Sequence, residues 1–341
     1  MRVAMYYNNN DVRLEEMPRP KIGSGELLVK VMASGICGSD VMEWYRIKRA
    51  PLVLGHEITG EIVEAGKGVR KYKVGDRVFV SHHVPCNTCR YCLDGQQTVC
   101  DTLRSTNFDP GGFAEYVRVP RINVDSGTYI LPKEILFEEG TFVEPLACAI
   151  RGQRMANVKP GHTVLVIGSG IAGLLNIKLA RAIGAKRIIA TDINEYRLRA
   201  AKKFGADAVI NAKDDVPAKL RQLNENKLAD RVIVCTGATS AIAQALRSID
   251  KGGTILFFAP TEPGVEVPLP LNEIWFKCST ITTSYAAASE DIKKAIEMIR
   301  TRNVIVKDMI THRLGLAETG LGFKLVADAK ESIKVIIEPQ R

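Results

Sequence analysis

VLVIGSGIAG, residues 164–173, decides the class of fold. An apolar, β-branched run stops at three glycines spaced G-x-G-x-x-G, and a helical run then extends to Gly184. Gly168 permits a tight turn after the strand, and Gly170 lets a pyrophosphate approach the backbone. Gly173 lets helix and strand pack closely, with the helix N-terminus facing the phosphate charge. The next strand, IIATD, ends in Asp192, nineteen residues beyond Gly173. An acid there accepts hydrogen bonds from both adenosine ribose hydroxyls and repels a 2′-phosphate. A ligand-free glycine turn is the plain alternative, and the acid at this distance argues against it. Ile171 and Ala172 inside the loop, Arg197 downstream, and Thr236 and Gly237 after the strand RVIVC complete the expected cofactor-binding set.

Around this stretch the texture alternates. VLVI, IIATD, AVI, RVIVC and TILFFA are short apolar runs separated by helical segments such as EYRLRAAKKF, AKLRQL and SAIAQALRSI. Apolar runs without polar alternation belong to a parallel sheet covered on both faces. Before about residue 130 the chain instead shows short strands broken by glycine and proline: ELLVKVMA, EITGEIVEAG, DRVFV and GFAEYVRV. That pattern predicts a curled β-rich domain. After Ser284 come a helix in DIKKAIEMIR, the segment MITHRL, a further helix and a last strand, SIKVII. Local pattern does not assign this tail to either domain.

Length and composition fit two globular domains: 341 residues, 46% hydrophobic and 25% charged. No uninterrupted apolar stretch is long enough to cross a bilayer, and MRVAMYYNNND lacks the apolar region of a signal peptide. A cytoplasmic location is expected, with no membrane partner. The net charge of +9 attracts anions. Its densest cluster, Arg197, Arg199, Lys202 and Lys203, reads as a solvated helix face. No nucleic-acid motif accompanies it, so no nucleic-acid partner is expected.

Four of the eight cysteines, Cys86, Cys89, Cys92 and Cys100, fall within fifteen residues. Four thiolates fill every position of a tetrahedral Zn²⁺, which makes this lobe (86–100) a structural site. An iron–sulfur cluster and disulfides are the alternatives; the spacing differs from the usual ferredoxin patterns, and the chain is neither small nor visibly secreted. Cys37-Gly-Ser39-Asp40 and Gly55-His56-Glu57 hold ligand types suited to a catalytic zinc, a weak signal taken alone. His82 and His83 flank the cysteine lobe but stand outside its filled ligand set. His162 reads as surface, and Cys235 and Cys278 as small packing side chains.

Taken together, CGSD (37–40), VLGHE (53–57), the four-cysteine lobe, GGFAEYV (111–117), VEPLA (143–147), GSGIAG (168–173), TDIN (191–194) and THR (311–313) carry a resemblance. The chain resembles the zinc-containing medium-chain dehydrogenase/reductase (alcohol dehydrogenase) family, and its sorbitol or polyol dehydrogenase branch in particular, over essentially its whole length. The resemblance implies an α/β protein: a GroES-like β-rich catalytic domain, residues 1–144 and 285–341, interrupted by a Rossmann doubly wound parallel-sheet domain, residues 145–284. It implies two zinc ions per chain and NAD. Cys37 and His56 become catalytic zinc ligands. Glu57 becomes a ligand or the carboxylate behind one, and Glu144 the remaining partner, directly or through zinc-bound water. Cys148 competes with Glu144 for that position; burying an acid in TFVEPLACAI is costly without a cation, whereas a cysteine is at ease there. Ser39 matches the hydroxyl that starts the proton relay, and Asp40 the carboxylate that orients His56. Tyr285 becomes a substrate contact.

The chain departs from that branch at Met42, where a histidine is frequent, in its short segment between Cys37 and His56, and at Ser284, where an arginine is frequent. The implied activity is hydride transfer from a secondary alcohol of a polyol, sugar acid or cyclitol to NAD, by a homodimer or homotetramer. Threonine or a simple alcohol as substrate, and a non-catalytic NAD(H)-binding zinc protein, are the alternatives.

Overall fold

A computed structural model describes all 341 residues. Their contacts divide into two units, Met1–Ala147 with Ala286–Arg341, and Cys148–Tyr285. The tail after residue 285 therefore belongs with the β-rich unit.

The second unit is built on a six-stranded parallel sheet. From one edge to the other its strands are Ala208–Asn211, Arg187–Asp192, Thr163–Ile167, Ala229–Val234, Ile249–Phe257 and Thr280–Thr283. All five residues of Thr163–Ile167 are buried, as an unalternating apolar strand between two helical layers must be. The helices Ile171–Ile183, Glu195–Lys203, Val216–Leu223 and Thr239–Ser248 cover the sheet, and their limits follow local chemistry. Gly184, at φ 94°, stops the first in a left-handed turn. Asn194 starts the second by accepting from the Tyr196 and Arg197 amides, and Asp215 starts the third by accepting from Ala218. The central strand comes first in sequence, and the order reverses beside it. Chains wound this way leave a crevice at the carboxyl ends of the central strands.

The first unit holds a mostly antiparallel sheet in the order Ile310–Gly315, Lys334–Glu338, Leu27–Gly35, Glu57–Ala65, Arg77–Ser81 and Thr128–Ile130, with Tyr116–Val119 also paired to Leu27–Gly35. A smaller sheet joins Asp11–Glu16, Arg2–Asn8 and Leu52–Val53. Register shifts at Leu28/Val29 and Val31/Ala33 curl the longest pairing, and apolar residues fill the inside. The tail is bound by its last strand: Ile336 and Ile337 of Lys334–Glu338 pair with Gly35 and Ser34.

The α/β class, with a GroES-like and a Rossmann-type part, is as expected. Several local elements escape the sequence pattern. The run TFVEPLACAI lies mostly in a helix, Val143–Met155, and short helices occupy Asp101–Ser105 and Arg121–Gly127. A helix Leu271–Phe276 leads into the edge strand Thr280–Thr283. Cys235 is half-buried, and desolvation pushes its thiol up to about 12. Cys278 corrects its packing assignment, because it is exposed. It sits in a left-handed turn (φ 51°) closing Leu271–Phe276, a helix that packs Ile274 inward and leaves Leu271, Trp275 and Phe276 exposed. No helix is long and apolar enough to cross a membrane.

Gly173 offers a direct test of the packing between glycine loop and helix. A Cβ there would overlap the carbonyl oxygen of Gly168, a backbone atom with no room to yield. Gly173→Ala is expected to destabilise the chain by about 1–3 kcal/mol, as overpacking does. Thermal unfolding should show a lowered Tm; an unchanged Tm would mean that the loop is not held this tightly.

Candidate active site

Two strand ends and one short turn assemble the first reactive cluster. The chain leaves Leu27–Gly35 and reaches Cys37 two residues later, while Glu57 opens Glu57–Ala65 directly opposite Gly35. The donor atoms of Cys37, His56 and Glu57 lie within 4.8 Å of one another. The turn Gly38–Val41 fixes Cys37 from both sides: its sulfur accepts from the Ser39 amide at 3.5 Å, and its amide donates to Asp40 Oδ2 at 3.0 Å. Asp40 is fully buried, and its Oδ1 lies 3.3 Å from His56 Nδ1. That contact occupies one ring nitrogen and leaves Nε2 for a metal, the usual way a carboxylate orients a ligand histidine. Burial works against charge on His56, but Asp40 outweighs it and holds the imidazole well above its ordinary value.

One sulfur, one nitrogen and one carboxylate oxygen are a donor set that fits a catalytic zinc. Glu57 is shared with a residue the motifs did not single out. Lys334, fully buried, forms an ion pair with Glu57 Oε2 and lies 3.4 Å from the Ile36 carbonyl. Gly35 makes room for the pair: a side chain there would run into both the Glu57 carboxylate and the Lys334 ammonium. Glu144 stands outside this donor group, half-buried in the first turn of Val143–Met155.

Arg46 also escapes the sequence reading. Its Nη2 donates to Ser39 Oγ at 3.1 Å, its Nε donates to the Ser39 carbonyl at 2.9 Å, and Nη2 lies 3.6 Å from Asp40 Oδ1. Thus the short segment between Cys37 and His56 sets a cation on the candidate relay hydroxyl. His82 departs from its assignment beside the cysteine lobe. Its ring centroid is 4.9 Å from that of His56, and His83 stacks on it at 3.7 Å. Burial, followed by the neighbouring positive groups, pushes His82 well below the ordinary histidine range and His83 down to about 4. The signals were faint: one lysine in the apolar SIKVII, a paired histidine after DRVFV, one arginine among several in WYRIKRA.

The four-cysteine lobe forms a second cluster. Cys86, Cys89, Cys92 and Cys100 carry no disulfide. Their sulfurs are 3.5 Å (Cys89–Cys92), 3.6 Å (Cys86–Cys100) and 3.9 Å (Cys86–Cys92) apart. Four Zn–S bonds of 2.3 Å in a tetrahedron give edges of about 3.8 Å, so the sulfurs fit that ion. Hydrogen bonds from the Thr88 side chain and the Thr88 and Cys89 amides draw the Cys86 thiol down to about 5, while burial pushes Cys92 up to about 12. A bound cation would favour the thiolate form of all four.

In the second unit, Gly168 takes φ +90° and Gly170 precedes the helix Ile171–Ile183, whose first amides, including those of Ile171 and Ala172, have no partner within the helix. The nearest atoms above Gly170 are the Arg197 guanidinium, 3.8 Å from where a Cβ would stand. Arg197 Nε is buried without a hydrogen-bond partner. Asp192 is 7% exposed; Oδ2 accepts from the Ser169 amide at 2.7 Å and Oδ1 from the Asn194 amide at 2.9 Å, which locks the acid to the glycine loop. Thr236 lies against Gly168, and Gly237 packs against the Pro260 carbonyl. Tyr285, 46% exposed, follows the edge strand.

Residues 23–125 match the alcohol dehydrogenase GroES-like domain, and residues 172–301 match the zinc-binding dehydrogenase family. The chain is 35% identical to a probable D-xylulose reductase A of Aspergillus clavatus, covering 96% of this chain and 94% of that one. It is 30% identical to a sorbitol dehydrogenase of Bacillus subtilis, covering 100% and 98%. A putative zinc-binding dehydrogenase from Sinorhizobium meliloti, solved with NADP bound, superposes with a TM-score of 0.88 at 28% identity over 99% of each chain. Similarity that runs from end to end and includes both reactive regions leaves one assignment: the chain belongs to the zinc-binding medium-chain alcohol dehydrogenase family.

Proposed function

We propose that this dehydrogenase oxidises a secondary alcohol of a polyhydroxylated substrate (a polyol, sugar acid or cyclitol) with NAD as hydride acceptor. The observation that carries the reading is the convergence of Cys37, His56 and Glu57 donor atoms within 4.8 Å, beside a serine hydroxyl fixed by Arg46. Relatives named for sorbitol and xylulose support the substrate class. Cys37 and His56 would hold the catalytic zinc, with Glu57 as a further ligand or the carboxylate behind one, and Glu144 as the remaining partner directly or through zinc-bound water; the metal would supply Lewis-acid polarisation of the substrate oxygen. Asp40 holds the His56 ring. Arg46 donates to Ser39 Oγ, so the serine keeps a defined lone-pair direction for the substrate hydroxyl proton, which it accepts as it gives up its own hydroxyl proton. An arginine stays protonated and cannot carry that proton onward. Met42 cannot either, so the outward relay leaves Ser39 by water. Tyr285 contacts the substrate.

On the cofactor side, Ile171 and Ala172 amides receive the pyrophosphate and Asp192 the adenosine ribose, while Thr236 and Gly237 border the loop. NADP is the second reading, favoured by the Arg197 guanidinium above Gly170 and by the NADP-bound relative. The chain also presents a surface for self-association. Thr280–Thr283 is an unpaired sheet edge, and Leu271, Trp275 and Phe276 beside it are 70%, 70% and 69% exposed. A two-fold partner would pair the edge and cover the aromatic surface, giving a homodimer, or a homotetramer built as a dimer of dimers.

A screen of polyols, sugar acids, L-threonine and small alcohols followed by NADH absorbance tests the substrate class; turnover confined to L-threonine or monohydric alcohols would replace it. Metal analysis should find two zinc ions per chain. Cys37→Ser should lose one of them and lower turnover by more than about 100-fold, with Tm largely kept. Cys92→Ser should compromise folding, because structural zinc binding is folding free energy. A single zinc, or an active Cys37→Ser, would reject the two-site assignment.

Asp192→Ala is expected to lower kcat/KM for NAD by roughly 10- to 100-fold and to move the NAD:NADP ratio toward NADP, through loss of charged hydrogen bonds and of repulsion. A wild-type protein with the higher kcat/KM for NADP would hand the ribose site to Arg197. Trp275→Glu combined with Phe276→Glu should shift the mass measured by light scattering toward the monomer at unchanged zinc content. An unchanged mass would clear this surface of any role in assembly.

A further inference from the structure

The paired histidines after Arg77–Ser81 have no part in the chemistry above, yet the sheet register carries them to it. Glu57 pairs with Ser81, so one step further along both strands brings His56 opposite His82 on one face. The 4.9 Å ring separation follows from that register. His83 stacks against the His82 ring at 3.7 Å. His82 Nδ1 is buried and has no hydrogen-bond partner. An unfilled polar atom beside a candidate metal ligand is a binding capacity awaiting a group, since most buried polar atoms are paired.

We propose that His82 determines specificity, by hydrogen-bonding a hydroxyl on the carbon next to the reacting carbinol, so that the chain selects vicinal diols and polyols over monohydric alcohols. The proposal rests on the dehydrogenase reading above. A neutral imidazole offers one donor and one acceptor, and a hydroxyl offers the same, so the two pair in either direction. A monohydric alcohol leaves that ring unfilled, or filled by a water that the diol would displace. An apolar substituent would bury the nitrogen unpaired. Sites built to bond a substrate hydroxyl discriminate strongly against analogues that lack it, which apolar pockets cannot do.

The test compares 2,3-butanediol and xylitol with 2-butanol, using the zinc-loaded wild-type chain, His82→Phe and His82→Gln. Wild type should favour the diol and the polyol. His82→Phe should lose roughly 10- to 100-fold in kcat/KM for both, chiefly through KM, with 2-butanol unchanged or improved. His82→Gln, which keeps a donor and an acceptor, should recover part of the loss. Zinc content should stay at the wild-type value in both variants. An unchanged ratio, or an equal loss on all three substrates, overturns the proposal and leaves the dehydrogenase reading intact. Loss of one zinc in both variants overturns it too, by making His82 part of the metal centre. If His82→Phe fails to fold, His82→Ala carries the same comparison. No turnover of any alcohol by the wild-type chain sinks the dehydrogenase reading and this proposal together.

Discussion

The pairing of three strands, Gly35 against Glu57 and Glu57 against Ser81, fixes where the reactive side chains of the first unit end. Cys37 follows the first strand, His56 precedes the second, and His82 follows the third. All three lie at the same end of the sheet because antiparallel neighbours place one strand's exit beside the next one's start. The last strand of the chain pairs with the same Gly35 and brings Lys334 in from the C-terminal segment. A shift of one residue at any of these ladders would turn the donor side chains to the opposite face, since the side-chain period of a strand is two. The β-rich unit thus acts as a register device, and its chemistry depends on that alignment more than on any single contact.

Burial supplies the second constraint. Glu57 and Lys334 are both almost wholly removed from water, so neither tolerates loss of the other. Breaking such a pair from one side generally costs about 3–5 kcal/mol, whereas an intact pair is close to neutral against an apolar replacement. Stability alone therefore does not explain it. A carboxylate beside a candidate metal centre must keep one oxygen position defined, and a lysine fixed through the sheet does that. Asp40 does the same for His56, and Arg46 for Ser39. Each reactive group is held by a partner that has no part in the bond changes, the arrangement that preorganised sites require.

The second unit solves a different problem with backbone. Gly168 turns the chain at a positive φ, Gly173 sits so close to the Gly168 carbonyl that a methyl group would not fit, and Asp192 ties the loop down through the Ser169 amide. The same carboxylate that would read a ribose therefore holds the loop that would carry the pyrophosphate. Thr280–Thr283 is the edge strand of this sheet, beside the exposed Leu271, Trp275 and Phe276; it is there that the proposed self-association would add a second chain.

What the sequence by itself determined was whatever is encoded over short distances. The glycine loop and Asp192 lie on one βαβ unit, and the four cysteines lie on one loop, so spacing alone specifies their geometry. The parallel sheet could be read from apolar runs because strands buried on both faces have no alternation to conceal them. The conjunction of Cys37, Ser39, Asp40, His56 and Glu57 was legible as a set of motifs, although not as a cluster derived from spacing. Only the tertiary structure decided what depends on which strands are neighbours. Lys334 meets Glu57 across 277 residues. His82 leaves the cysteine lobe next to it in sequence for His56 across the sheet, and the tail joins the β-rich unit through the pairing of Lys334–Glu338 with Leu27–Gly35. Local periodicity carries no record of strand partners, because each of these contacts is set by a backbone ladder whose register is fixed only when the core closes.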